Sequence, residues 1–156
     1  MKWLMDSAAI NHVASHSRNY NEVFNRLTDL VKGAELTFCD QVVAELERTA
    51  EGEPGPLWAA TVRDQRVDKG APYAAQRWVL QNVEDIVDED DPVDAAPYVV
   101  AHAKSLQDQG ETEITVVTED TADKPTRKSI RTVCEELSIP CLSVAEMMRA
   151  CGHRWP

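Results

Sequence analysis

Three acidic residues in well-separated parts of the chain each lie close after a stretch with strand character: Asp6, Glu45 and Asp120. Carboxylates that meet in a folded protein repel one another, and they stay ionised together only when a cation neutralises them. A few hard oxygen ligands, with room left for water and phosphate oxygens, favour Mg²⁺ or Mn²⁺. Such an ion can activate water and stabilise charge on a phosphodiester. The three acids therefore predict metal-dependent phosphodiester hydrolysis, provided that the fold brings them together.

Each acid also has a simpler interpretation. A carboxylate that follows a strand often caps the next helix, because it accepts hydrogen bonds from the first N–H groups of that helix. A shared location of all three side chains would favour a metal site over three separate caps. Ser7, next to Asp6, is a candidate for orienting that acid or a metal-bound water.

Apolar runs and helical repeats alternate along the chain and predict where these acids lie. Strand character marks residues 2–5, 36–39, 113–118 and 139–142. Helical spacing of apolar residues marks 8–17, 23–31, 42–46, 75–86, 97–106, 130–137 and 144–148, while 51–56 and the acidic stretch 84–94 are predicted as loops. Strands that alternate with helices indicate an α/β domain with a mainly parallel sheet.

Parallel sheets place their sites at the carboxyl ends of the strands. We therefore expect Asp6, Glu45 and Asp120 to meet on one edge of the sheet. Glu119 is the reserve for Asp120, because neighbours along a continuing strand point to opposite faces and only one of the two could then point into the site.

Length and composition fit one globular domain, which we place at residues 1–150 with a C-terminal tail at 151–156. No apolar run approaches the roughly 20 residues of a membrane helix, and Asp6 comes too early for a secretory signal. We expect a cytoplasmic protein whose four cysteines are small core residues. The net charge of −11 argues against loose, non-specific RNA affinity and suits a basic protein partner.

A local basic cluster stands out against that acidic background. It consists of Lys124, Arg127, Lys128 and Arg131, shortly after Asp120. These side chains could hold RNA phosphates beside a metal. The competing interpretation is the solvated start of a helix.

Several of these segments resemble PIN domains. Residues 3–7 (WLMDS) resemble the opening strand and acid, 43–46 (VAEL) the second acidic position, and 116–120 (VVTED) the T-x-D strand end. Residues 97–103 (PYVVAHA) and 133–141 (VCEELSIPC) resemble, more narrowly, a PIN-like family of bacterial proteins related to VapC toxins. The similarity runs over most of the chain, from Lys2 to about Arg149.

The resemblance implies a PIN-like, three-layer α/β/α domain with a mainly parallel central sheet. It also implies an Mg²⁺- or Mn²⁺-dependent endoribonuclease, with Asp6, Glu45 and Asp120 at the metal, that acts as the toxin of a type II toxin–antitoxin pair. The partners to expect are an RNA substrate and a cognate antitoxin, and a homodimer is a further option.

The chain departs from this family at one position. The family carries an acid directly before the proline of the Pro-Tyr helix, and Ala96 stands there in this chain. Alanine is also a poor helix cap. Three explanations remain open: an inactive member, a register shift that lets Asp94 take over, or an introduced Asp→Ala change. Asp94 is two residues away, which on a helix is another face, so we expect weak metal binding and poor cleavage.

Two other classes of function compete with the nuclease. One is a non-catalytic PIN-like module that keeps the fold and engages a protein partner. The other is a phosphohydrolase that forms an aspartyl-phosphate. That chemistry needs a second acid two residues after Asp6, where Ala8 stands, and it ranks last.

Overall fold

The computed structural model describes residues 2–110 and 113–156, so Met1, Glu111 and Thr112 of the predicted domain lie outside the described residues. It confirms an α/β fold, in which helices flank a four-stranded parallel sheet. The strands are β1 (Lys2–Met5), β2 (Leu36–Thr37), β3 (Ile114–Val117) and β4 (Cys141–Leu142), in the order β2-β1-β3-β4. The two longest strands are therefore neighbours at the centre of the sheet.

The register of the central pair fixes the position of the site. β1 and β3 pair from Lys2 opposite Ile114 to Met5 opposite Val117. The next residues, Asp6 and Thr118, therefore leave the sheet side by side. Their backbones continue the ladder for one step, since Asp6 N donates to Val117 O at 3.2 Å.

The helices occupy the segments between the strands and after the last strand. They are α1 (Ser7–His16), α2 (Tyr20–Lys32), α3 (Asp40–Thr49), α4 (Pro54–Val62), α5 (Tyr73–Asn82), α6 (Ala96–Asp108), α7 (Ile130–Glu136) and α8 (Val144–Ala150), with a 3-10 turn at Arg63–Gln65. None of the helices in the described residues has the length and apolar character to cross a membrane.

Several predicted boundaries were wrong, three of which affect the elements around the core. The predicted loop 51–56 ends early, because α4 begins at Pro54; a proline fits the first turn of a helix, where its missing N–H is not needed. The helix predicted over 75–86 stops at Asn82, and Val83 is already extended. The second strand is shorter than 36–39, since Phe38 and Cys39 lie beyond its end.

The central strands form the core of the domain. Leu4 and Met5 in β1 and Val116 and Val117 in β3 have no measurable exposure. Parallel strands covered on both faces are expected to be continuously apolar. The carboxyl-terminal halves of β1 and β3 fit this expectation. A rigid, fully packed pair of strands thus ends at the residues that build the site.

We expect Leu4→Ala to lower the free energy of unfolding by about 2–5 kcal/mol, because it leaves a cavity in this core. Leu57→Ala is the matched control, since Leu57 in α4 is 60% exposed and the same change there should cost less than about 0.5 kcal/mol. Urea unfolding of both variants measures the difference. Equal losses would mean that β1 is not at the centre of the core.

Candidate active site

A cleft of about 400 Å³ opens at the carboxyl ends of the central strands. Its lining is strongly acidic. Six carboxylates (Asp6, Glu45, Asp91, Asp94, Glu119 and Asp120) face two cations, Lys124 and Arg127. The three acids predicted from the sequence, Asp6, Glu45 and Asp120, therefore share one cleft, as does Glu119.

Asp6 is the most buried of these acids, with 2% of its surface exposed. It caps α1, because its Oδ1 accepts from Ala9 N at 2.8 Å, and its Oδ2 accepts from the Thr118 hydroxyl. Burial raises the pKa of Asp6 to about 7, and the nearby charges of Asp120 and Glu45 contribute in the same direction. The capping interpretation and the site interpretation both apply to this residue.

Thr118 connects the two central strands through its side chain. Its Oγ1 donates to Asp6 Oδ2 and accepts from Asp120 N at 2.9 Å. β3 ends at Val117, so the alternation of a strand does not apply to residues 119 and 120. Both Glu119 and Asp120 line the cleft. Only one of them was expected to do so if the strand continued through both residues, and that condition is not met.

Asp120 and Asp94 are joined by one arginine. Arg127 Nη1 donates to Asp120 Oδ2 at 2.7 Å, and Arg127 Nε donates to Asp94 Oδ2 at 2.5 Å. Ile130 N also donates to Asp120 Oδ2, at 3.2 Å. In the part of the chain that the structure describes, no three His, Cys, Asp or Glu side chains lie close enough together to form a ready-made metal cage.

Asp94 lines the cleft as the residue directly before the N-cap of α6, which begins one residue earlier than expected. The N-cap is Ala95 and Ala96 is the first helical residue, so Pro97 takes the second position. Asp94 Oδ1 accepts from Ala96 N at 3.0 Å. The expectation that Asp94 points to another face was wrong, because residue 94 precedes the helix and helical spacing does not govern it.

Ala96 itself is 1% exposed and contributes only a methyl group to the cleft wall. The structure bears on one of the three explanations for this alanine, since it places the Asp94 side chain in the same cleft. The acid of this segment reaches the cleft from position 94.

Glu45 lies on α3 and lines the cleft together with Asp6. Its Oε2 accepts from Ala95 N at 2.7 Å, which ties α3 to the start of α6. Burial raises the pKa of Glu45, while the Ser7 hydroxyl lowers it and the charge of Asp94 raises it. Glu45 is thus an incompletely neutralised carboxylate, whose nearest cation is Arg48, with Nη2 at 3.9 Å.

Two neutral oxygens beside these acids are unsatisfied. Ser7 is 6% exposed, and among the described residues neither Ser7 Oγ nor Asn11 Oδ1 has a hydrogen-bond partner of good geometry, although both are buried and both residues line the cleft. Buried polar atoms without partners are rare and call for an explanation, such as an ion or water. Sequence reasoning noticed Ser7 but missed Asn11, which lies one helical turn after it.

The basic cluster divides into two pairs. Lys124 and Arg127 line the cleft, and Arg127 is buried rather than free to meet RNA. Lys128 Nζ lies 2.9 Å from Glu136 Oε1, and Arg131 Nε lies 3.4 Å from Glu135 Oε1, both away from the cleft lining. Of the four basic residues predicted to contact RNA, Lys124 alone both lines the cleft and is exposed.

The raised pKa of Asp6 predicts a pH dependence of stability. Folded Asp6 keeps its proton up to about pH 7, whereas the unfolded chain loses it near pH 4, so this residue makes folding less favourable as pH rises between them. We expect the stability of the wild type, relative to Asp6→Asn, to fall by on the order of 2 kcal/mol from about pH 5 to about pH 8. Chemical denaturation of both proteins at the two pH values measures it. A constant difference would contradict the burial argument.

Residues 3–155 match the family described as "Domain of unknown function (DUF4411)". A search of the curated proteins found no match to the chain. Because the match spans nearly the whole chain, including both central strands and every acid of the cleft, the chain belongs to the DUF4411 family.

Proposed function

We propose that this protein is an Mg²⁺- or Mn²⁺-dependent endoribonuclease whose active site is the acidic cleft. The observation that supports the proposal best is the meeting of Asp6, Glu45, Asp94 and Asp120 in one cleft, beside the buried Ser7 hydroxyl, which makes no hydrogen bond of good geometry. The resemblance of the strand ends to PIN domains supports RNA as the substrate.

The residues present fit one hard divalent cation. Mg²⁺ usually keeps several waters and takes only one or two protein carboxylates, so a cage of three acids is not required. Asp6 and Glu45 would supply the carboxylates, and Ser7 and Asn11 would supply neutral oxygens or bind the waters. A cation there would also lower the raised pKa of Asp6, since it favours the ionised form.

When bound, the cation would supply an activated water and charge stabilisation for the phosphodiester. Residues of the chain would bind the phosphate and orient the attacking water. Lys124 is exposed at the cleft and can hold a phosphate electrostatically. Both hydrogen bonds to the Asp120 carboxylate end on Oδ2, so its Oδ1 is available to orient the attacking water and accept its proton.

The proposal extends to a toxin in a type II toxin–antitoxin pair, acting in the cytoplasm. Two observations support this extension: the resemblance to VapC-related proteins and the net charge of −11, which suits a basic antitoxin. Growth arrest on expression, relieved by a co-expressed neighbouring gene, would test it separately from the cleavage assay.

Glu45→Gln tests the nuclease directly. We expect Mn²⁺-dependent cleavage of a structured RNA panel by the wild type, and a loss of at least about 10–100-fold in Glu45→Gln. Glu47→Gln is the matched control, because Glu47 lies on the same helix but is exposed outside the cleft and should retain full activity. No cleavage by the wild type with either ion would favour the non-catalytic module that engages a protein partner.

A second pair of variants tests which residue supplies the acid of the α6 segment. Asp94→Asn should lower cleavage about 10–100-fold, as expected for a supporting partner of the site. Ala96→Asp should bring no gain, because Asp94 already provides the carboxylate of this segment in the cleft. A large gain from Ala96→Asp, with Asp94→Asn unchanged, would show that the chain is an inactive form lacking its acid at position 96.

A further inference from the structure

Arg127 is an unusual residue to find inside an acidic cleft, because it is almost fully enclosed. Its side chain is 6% exposed, and the side chains of its partners Asp94 and Asp120 are 10% and 12% exposed. The guanidinium donates to Asp94 Oδ2, to Asp120 Oδ2 and to Lys128 O at 2.8 Å. Charge-assisted bonds that are shielded from water in this way are among the stronger polar contacts in proteins.

The segment that carries Arg127 is itself fixed. Lys124 N donates to Arg127 O at 2.8 Å, and Lys128 N donates to Asp85 O at 2.7 Å. Ser129, which caps α7, donates from its N to Asp123 Oδ1 at 2.8 Å. The backbone is therefore fixed on both sides of residue 127, and this limits where the guanidinium can lie.

This arginine divides the cleft into two electrostatically different parts. Asp94 and Asp120 share a buried cation at 2.5 and 2.7 Å. Asp6 and Glu45 have no such partner among the described residues: Asp6 accepts only neutral hydrogen bonds, and Glu45 has Arg48 at 3.9 Å. The unsatisfied oxygens belong to Ser7, which directly follows Asp6, and to Asn11 one turn later on α1, and both residues line the same cleft.

Hydrolases with two metal ions hold them about 3.5–4 Å apart, each neutralising part of a carboxylate cluster. A guanidinium bonded to Asp94 and Asp120 does the same for those two acids, and a second dication there would meet a positive charge already in place. We propose that Arg127 is a built-in counter-cation that limits the cleft to one divalent ion, held by Asp6 and Glu45. This inference rests on the proposed metal-dependent function, and it assigns Arg127 as a positioning residue for Asp94 and Asp120.

The number of Mn²⁺ ions bound by the full chain tests the inference without any activity assay. Titration calorimetry should give one Mn²⁺ per wild-type chain, and the electron paramagnetic resonance spectrum should be that of isolated Mn²⁺. Arg127→Met should bind a second ion and give the spectrum of a spin-coupled pair. Lys128→Met is the matched control, because Lys128 pairs with Glu136 away from the cleft lining, and it should keep one ion.

Two further variants decide the matter if Arg127→Met does not fold. Glu45→Gln should lose about 10–100-fold in Mn²⁺ affinity, whereas Asp94→Asn should stay within about threefold of the wild type, a change small beside the loss of a ligand. Equal losses in both would overturn the inference, as would two ions on the wild type or a single ion on a folded Arg127→Met. A wild type that binds no Mn²⁺ at all would overturn the proposed function together with this inference. The outcomes above would overturn the inference alone, so the two failures are distinguishable.

Discussion

A carboxylate with almost no access to water lies where the two central strands end, and the arrangement around it follows from that burial. Asp6 can be ionised there only if its oxygens are compensated, since burial raises its pKa to about 7. Part of the compensation is structural. The N-terminus of α1 and the Thr118 hydroxyl both donate to Asp6, so the helix and the neighbouring strand are tied to the same carboxylate. A divalent cation would compensate the rest of the negative charge on Asp6.

The carboxylates on the other side of the cleft are compensated by a cation of the chain and not by neutral donors. Asp94 and Asp120 come from segments before α6 and after β3, and Arg127 neutralises both. Removing one member of such a buried set leaves an uncompensated charge, which is costly. If the proposed function holds, RNA must be bound at the cleft and not by a broad basic face, since the chain carries a net charge of −11.

The sequence predicted the parts of the site that local rules govern. The apolar runs of β1 and β3 indicated buried parallel strands, and that placed Asp6 and Asp120 at the same edge before any contact was known. Glu45 followed from its place just beyond the second strand candidate, on the helix that comes after it. The position of Asp94 did not follow, because helical spacing does not apply to residue 94, which precedes α6. Its carboxylate is held by Ala96 N and Arg127 Nε, and the second of these contacts leaves no periodic pattern in the sequence.

Arg127 could not have been assigned from sequence, because its partners lie 33 and 7 residues away and ion pairs across such separations leave no periodic pattern. Its place in a basic cluster instead suggested an RNA contact. The short strands β2 and β4, with two residues each, were overestimated because they are edge strands that pair with one neighbour over only two residues, and their apolar runs do not show where that pairing ends.

Anomalous diffraction from crystals grown with Mn²⁺ would test the central claim most directly, since it locates the ion without reference to activity. The account predicts one peak in the cleft, coordinated by Asp6 and Glu45, with Arg127 still bonded to Asp94 and Asp120. A peak between Asp94 and Asp120 with Arg127 displaced, or a cleft that holds no Mn²⁺ at millimolar concentration, would contradict it.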